Sequence, residues 1–497
     1  MRKPATFTLK ALAVVEVPEL SRSYLKLQGG FGTSQRIEWL PLPFVDKPER
    51  FSEFIANRFG HVYAREDRGK QLEKLTDAVP RLPRIVGSSR LGWTADGQTF
   101  LYGTQPYPES AAVEFITPEG TVLHDAAKAV TPKGDRDVQY GAFRDLWQQS
   151  PHFRLALSLA CVSPFLEVIR APSVVVHLAG PTGIGKTTVL RLAISAFADP
   201  FSSATGIDFA KDTKNYADAH LGILHNFPIL LDETTLSGPE AMAEVAYNVT
   251  VGRTRGRLGD AERDYGPVKP MSYSLVCLLS GESSIREGME QRGAAARFVE
   301  IPEDEPILPR AHLPRWNDFA KQHYGWLGRD LVADFADPAR RERLVTMYQV
   351  GRALTSLWCD DHSRTADFLA LLQLGHRLAA RRLGFDDSHE AAEEFAQLIY
   401  TKLNRRTKLD TVLDAIGALP GCPGWIEAGA IPCDALEPLI KEFRFRDRAD
   451  LRDALKAHGL VSKIEPRKAA GLSRRCFILT DEGRARLAGA LAPAERV

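Results

Sequence analysis

Residues 173–198 read SVVVHLAGPTGIGKTTVLRLAISAFA, and three textures follow one another within them. SVVVHLA (173–179) is a continuous apolar run, the pattern of a strand buried on both faces of a parallel sheet. GPTGIGKT, from Gly180 to Thr187, matches G-x-x-x-x-G-K-[ST] in full, and KTTVLRLAISAFA has helical spacing. Strand, glycine-rich turn and helix in that order predict a phosphate-binding loop. Gly180, Gly183 and Gly185 let the backbone turn its N–H groups toward an anion. The orphan donors and positive dipole end of the following helix add to them. The expected ATP-binding set is Gly180, Pro181, Thr182, Gly183, Ile184, Gly185, Lys186, Thr187 and Thr188. Within it Lys186 is expected to neutralise the β- and γ-phosphates, and the Thr187 hydroxyl to join a Mg2+ shell.

Three more apolar runs, FPILLDE (227–233), SYSLVCLLS (272–280) and RFVEIP (297–302), alternate with helical segments. That alternation predicts a parallel, doubly wound sheet. Ligands of open α/β sheets bind at the carboxyl ends of the strands. There Asp232 is expected to hold Mg2+, and Glu233 to orient and deprotonate the attacking water. Ser280 ends the third run, either as a polar group between those carboxylates and the γ-phosphate or as a hydroxyl that closes a strand. Arg297 opens the fourth run. It reads as an arginine finger for a neighbouring subunit's γ-phosphate, with Arg292 as second candidate, or as a surface arginine at a strand start. A finger acting in trans completes the site only in an oligomer.

Working outward, 497 residues with 44% hydrophobic and 26% charged side chains describe a globular chain of several domains. The expected division is a β-rich N-terminal domain (1–140), the ATPase core (141–305), a helical lid or connector (306–404) and a winged helix (405–497). The first segment carries one helical piece near 47–60 and an Asp96-Gly97 turn in TADGQTFLYG, and the polar AVTPKGDRD (129–137) reads as a linker. A net charge of +1 means that any nucleic-acid contact must come through local patches. None of the six cysteines forms a C-x-x-C pair, and Cys359 with His362 lacks further zinc ligands nearby. Such usage fits a reducing compartment. The most apolar helical stretch, LALSLACVSPFLEVI (155–169), is too short and too polar for a bilayer, and the N-terminus carries no leader pattern. A cytoplasmic protein without a membrane partner is expected.

Taken together, HLAGPTGIGKTTVLRLA, ILLDE, AEVAYNVTVGRTRGR, LLSGE and HYGWLGRDL resemble a family of phage-, plasmid- and island-borne ATPases, domain of unknown function nine-two-seven. The resemblance spans roughly residues 85–330 and takes in SSRLGWTADGQTF ahead of the loop. Members are linked to primases and helicases, and some are similar to the self-loading helicases of mobile elements. This chain has YNVTVGRTRGR where the family pattern is a glycine-rich, basic stretch. The family is also similar to minichromosome-maintenance-like and superfamily three helicases, and the arginine before FVEIP is similar to the Ser-Arg-Phe element of minichromosome-maintenance motors. That likeness implies a finger role for Arg297, and a DNA-contacting hairpin between the Asp-Glu strand and the Ser280 strand.

The corresponding segment, GRTRGRLGDAERDYGPVKPMSY, offers Arg253, Arg255, Arg257 and Lys269. Alternate residues of an extended chain share a face, so the three arginines could line a ring's pore; the other reading is a solvated loop paired with Asp260, Glu262 and Asp264. Near the C-terminus, two helical patterns and a hairpin around AAGLS predict the winged helix, its wing carrying Lys463, Arg467, Lys468, Arg474 and Arg475. Only Lys456 and His458 on the second helix could read bases, and a protein-binding winged helix is the alternative. These readings converge on an α/β P-loop NTPase core of AAA+ type, using ATP and Mg2+. They predict a ring, hexameric by expectation, working as a helicase or replication ATPase on single-stranded or forked DNA. The competing class is a nucleotide-switched DNA-binding adaptor, loader or regulatory ATPase that does not translocate.

Overall fold

A computed structural model describes residues 6–117, 121–207, 220–231, 248–253, 257–258, 267–268, 271–282, 298–359, 363–403, 408–419, 421–442, 447–457, 460–469 and 472–491. The chain divides into two compact units, Met1–Leu398 and Ile399–Val497. Among the described residues no helix is long and apolar enough to cross a membrane.

The first unit opens with β1 (Phe7–Val17), β2 (Arg22–Phe31) and β3 (Ser34–Pro41), an antiparallel meander. Two helices follow, α1 (Pro48–Phe59) and α2 (Arg65–Ala78). Pro48 at the first helical position and left-handed Gly60 just past the end bracket α1. Phe51 and Ile55, one turn apart, meet Val14, Leu25, Leu27 and Leu40 in a core from which water is excluded. β4 (Arg84–Ser88) runs parallel to β1 and carries β8 (Val113–Phe115) on its far side. The β-rich expectation for this region therefore understates its helices, which include α2 and, later, α3 (Val122–Val130). Only Leu72 and Leu75 of α2 are buried, too narrow a stripe to register as a period.

Between β4 and β8 lies a small antiparallel sheet, β5 (Gly92–Trp93), β6 (Phe100–Tyr102) and β7 (Gln105–Tyr107). Gly97, at φ +67°, makes the turn, and Thr94 N–H donates to Thr99 O across it. The sheet is built into the body of the unit. Trp93 donates its indole N–H to Pro164 O (2.7 Å), and its amide to the Asn226 Oδ1 (2.9 Å). The Tyr102 hydroxyl lies 2.6 Å from Phe197 O and 2.9 Å from Gly325 O.

Next come α4 (Arg136–Gln149) and α5 (Pro151–Val162). Residues 129–137 are not the free linker that their composition suggests. Lys133 exchanges backbone hydrogen bonds with Tyr324, and Asp135 accepts from Val138 N–H to cap α4. Gly134, at φ +77°, sits where a Cβ would lie 2.1 Å from Gln322 O.

The central layer is a parallel sheet of β9 (Val174–Ala179), β10 (Gly206–Ile207), β11 (Ile229–Leu231), β14 (Val276–Gly281) and β15 (Phe298–Pro302), ordered β10-β11-β14-β9-β15. Two short strands, β12 (Arg257–Leu258) and β13 (Pro267–Val268), pair outside it. Helix α6 (Lys186–Ser195) follows β9. After β15 come α7 (Leu313–Gln322), α8 (Trp326–Asp334), α9 (Pro338–Trp358) and α10 (Ser363–Leu383), as the helical periodicity of this region requires. Helix α11 (His389–Leu403) carries the chain into the second unit.

That unit contains α12 (Lys408–Gly417), α13 (Cys422–Ala428), β16 (Ala430–Pro432), α14 (Glu437–Glu442), α15 (Arg448–Ala457), β17 (Val461–Ala469), β18 (Leu472–Leu479) and α16 (Asp481–Leu491). Its sheet, β16-β18-β17, is antiparallel, and β17 with β18 is the expected hairpin. Leu436, Leu451, Leu455 and Phe477 fill the core beneath it.

Two predictions test this packing. Gly375 lies in α10 where a Cβ would stand 2.0 Å from Ser158 O of α5, whereas Gly141 of α4 has nothing within 4 Å. Gly375→Ala is expected to destabilise by about 1–3 kcal/mol in urea unfolding, and Gly141→Ala to stabilise by about 0.5–1 kcal/mol. Burial and the Arg154 guanidinium push the His376 pKa down to about 4. An unfolded histidine titrates near about 6.5, so the unfolded chain binds the extra proton. The contribution is complete above that value and is lost as pH falls toward the folded one, by about 3 kcal/mol in all. His376→Phe is expected to flatten this slope in unfolding midpoints measured across that window.

Candidate functional site

Every residue of β9 is buried, and the chain leaves it between two neighbours that hold it in place. On one side Gly180 N–H donates to Gly281 O of β14 (3.1 Å); on the other, Glu303 N–H donates to Ala179 O (2.8 Å). A Cβ on Gly180 would lie 1.9 Å from Glu303 O, so no other residue fits without moving the exit of β15. Gly183 (φ +76°) and Gly185 (φ +99°) occupy the left-handed region, and Gly185 starts α6 without a side-chain cap. The positive dipole end of α6 thus opens directly onto the loop. Pro181, Thr182 and Gly183 are exposed, while Ile184 is buried and its carbonyl accepts from Ile307 N–H (2.8 Å).

Three of the expected residues come together here. Lys186, a residue only 7% exposed, donates from its ammonium to Gly180 O (2.7 Å) and Pro181 O (2.8 Å), so the group lies inside the curl of the loop. One residue on, the Thr187 hydroxyl is 2.9 Å from the Ser280 hydroxyl. Strand order explains that contact: β14 lies next to β9, so the end of β14 faces the first turn of α6. On the other edge of β14, Leu231 is level with Leu279, and the described part of β11 ends there. Asp232 and Glu233 lie outside the described residues, as do Arg292 and Arg297. Hydroxyl oxygens over a glycine-rich curl with a buried ammonium form a donor set suited to a polyphosphate and a hard, oxygen-seeking cation.

Three further contacts reach the loop from residues that no motif marks. Arg310, in the turn before α7, donates from Nε to Gly183 O (3.2 Å) and so lies at the loop's open rim. Asn317 of α7 donates to Thr188 Oγ1 (3.4 Å). Glu303, whose carbonyl occupies the space beside Gly180, pairs with His152 at 2.6 Å. Nothing in the local pattern around Arg310, Asn317 or Glu303 marks them, because each meets the loop only through the return of the chain after β15.

Of the basic residues, Arg253 is exposed and bridges antiparallel to Ser272. Arg257 pairs with Val268 and Leu258 with Pro267, all in the register set by that bridge, as one hairpin ladder would require. Arg255 and Lys269 lie outside the described residues, and the side chain of Arg257 is likewise not described. In the second unit Lys463, Arg467, Arg474 and Arg475 are exposed on the hairpin. Arg467 lies directly opposite Arg474. Glu465 meets Lys463 (2.8 Å) and Arg467 (3.0 Å), and Asp434 lies 3.4 Å from Arg474. Its bond with Lys463, foremost, holds the Glu465 carboxyl below its ordinary pKa. Lys468 is in β17, its side chain not described; Lys456 is exposed on α15, and His458 lies outside the described residues.

Residues 52–264 match the family model described as "Domain of unknown function (DUF927)". The matched stretch takes in α1 from its second turn onward, the small β5-β6-β7 sheet, the loop and the start of the basic insertion. Among solved structures, the chain is similar to one described as "SCCmec type IV Cch - active helicase", with a TM-score of 0.63 and 14% identity over 98% of this chain and 96% of that one. It is also similar to the A form apo structure of the NrS-1 C terminal region, at TM-score 0.31 and 10% identity over 94% of this chain and 96% of that one. No curated protein matches it by sequence. The first of these likenesses establishes a shared fold.

The rigidity of the loop's base is testable. Gly180→Ala is expected to lower stability by about 1–3 kcal/mol, because neither strand exit can retreat without losing a sheet hydrogen bond; thermal unfolding of the full chain reads it out.

Proposed function

We propose that this chain is an ATP-hydrolysing, AAA+-type motor that acts on DNA, working as a ring-shaped helicase or replication ATPase of a mobile element. One observation carries the reading: a buried lysine and a Thr187–Ser280 hydroxyl pair stand around a glycine curl at the carboxyl edge of a parallel sheet. In this reading Gly180–Thr188 cradle the triphosphate. Lys186 exchanges the Gly180 and Pro181 carbonyls for β- and γ-phosphate oxygens, which cost more to leave unpaired. Thr187 and Asp232 hold Mg2+, which supplies positive charge against the phosphates. Glu233 accepts the proton of the attacking water, and Ser280, tied to Thr187, orients the γ-phosphate side of the site. Arg297 of a neighbouring copy neutralises the charge that develops on the transferred group, so self-association, hexameric in this reading, is part of the active form.

The DNA assignment rests on charge placed at two points. The Arg253–Ser272 and Arg257–Val268 pairings support a hairpin insertion bearing Arg253, Arg255, Arg257 and Lys269. The hairpin of the second unit, read as the wing of a winged helix, sets Arg467 across from Arg474. Like charges directly opposite oppose folding, and a phosphate backbone would relieve the pair. The fold likeness to a structure described as an active helicase supports the motor class.

Turnover of ATP is expected to rise with single-stranded DNA, and a forked duplex to be separated. Hydrolysis with neither effect would overturn the motor in favour of a nucleotide-switched adaptor. Lys186→Ala and Arg297→Ala should each abolish turnover, the latter with ATP binding retained. Mixing the two variants should restore part of the rate if sites are shared between copies; no recovery removes Arg297 from the neighbour's site.

A further inference from the structure

A cavity of about 380 Å3 opens between α8, α9 and α10 and is lined by no residue of the loop 180–188. Its walls carry five guanidinium groups, from Arg340, Arg343, Arg377, Arg381 and Arg382. Asp334 and Asp387 are its two carboxylates, which leaves the walls three charges positive. Those carboxylates are already engaged. Asp334 pairs with Arg382 and lies 3.7 Å from Arg340, while Asp387 pairs with Arg381 at 2.6 Å. Arg377 donates from Nε to the Asp387 carbonyl at 2.8 Å, and neither it nor the exposed Arg343 has a carboxylate partner among the described residues. The floor is apolar, with Phe335 and Leu344 buried beneath the arginines.

Like charges converge in this way only against an opposing cost, and an anion would offset it. All five cations are arginines, whose planar forks grip two oxygens of one group at once. A side-chain carboxylate brings a single charge and two oxygens. A phosphomonoester brings a charge of roughly −1.5 to −2 and three strong acceptors, closer to what the walls leave uncompensated. The volume falls in the range of small-ligand sites, roughly 300–1,000 Å3, and suits a discrete group more than a run of internal phosphodiesters. We propose that this cavity binds a terminal phosphate, as a phosphomonoester or diphosphate, at a site separate from the Gly180–Lys186 loop. A free nucleotide and the 5′-phosphorylated end of a nucleic acid both present that chemistry.

The test uses the full chain carrying Lys186→Ala, so that the loop is silenced, with inorganic pyrophosphate as the calorimetric probe. Saturable binding is expected, weakened by about tenfold in Arg343→Ala and in Arg377→Ala. Arg377→Lys, which keeps the charge but loses the fork, should fall between; Arg36→Ala, remote from the cavity, should bind as before. Displacement of pyrophosphate by ADP identifies a nucleotide source, and displacement by a 5′-phosphorylated but not a 5′-hydroxyl trinucleotide identifies a nucleic-acid end. Either supports the site. No binding, equal binding by the Arg343 and Arg377 variants, displacement by neither ligand, or equal displacement by an acidic peptide overturns it. Because Arg343 is exposed, its removal leaves folding intact, and an unchanged thermal midpoint verifies this.

Discussion

A strand whose every side chain is buried can lie only between two other strands and under cover on both faces, and that constraint governs the first unit. β9 satisfies it by lying between β14 and β15. Its end is then tied on both flanks, through Gly180 to Gly281 and through Ala179 to Glu303. The loop that follows inherits a fixed origin. Its curl closes on the Lys186 ammonium, and α6 begins at a defined place. Preorganisation of this kind matters because donors held in place before a ligand arrives lose little freedom when it binds. The same strand order brings the end of β14 beside α6, which is why Ser280 and not another hydroxyl meets Thr187.

The central layer is also less separable from what precedes it than composition suggests. Trp93 and Tyr102 anchor the small antiparallel sheet to backbone carbonyls at Pro164, Phe197 and Gly325. Residues 129–137 bridge to Tyr324 in the same manner. A polar stretch with proline and glycine reads as a spacer when only side chains are considered. Here its backbone donors and acceptors find partners in a returning segment, so its polarity serves pairing rather than freedom. The matched family region, 52–264, begins well before the loop, in keeping with this dependence.

Charge is organised locally in a chain whose overall balance is near zero. With a net +1, no global field would draw a polyanion to it. Yet guanidinium groups gather around one cavity, and two arginines face each other across the β17–β18 hairpin. Each gathering carries acids beside it, Asp334 and Asp387 in the first, Glu465 and Asp434 in the second, that temper the repulsion without cancelling it. Composition averages such arrangements away, and only position along the fold restores them.

What the amino-acid order by itself determined is what short-range physics controls. The buried strand, the glycine turn and the helix of 173–198 follow from contiguous residues, since burial on two faces and left-handed glycines leave local marks. The helical run after 310, the α1 helix and the C-terminal hairpin were legible for the same reason. Helix α2 was not, because Leu72 and Leu75 alone face the core and the rest of its pattern is polar. Tertiary structure alone decided which distant residues meet. Thr187 and Ser280 are 93 positions apart, and Gly183 and Arg310 are 127 apart. Their contacts depend on strand order and on the path of the chain after β15, and the arginine cavity depends on how α8, α9 and α10 pack. Periodicity within one segment carries no record of its neighbours in space, and proximity between segments is where the chemistry of this chain is assembled.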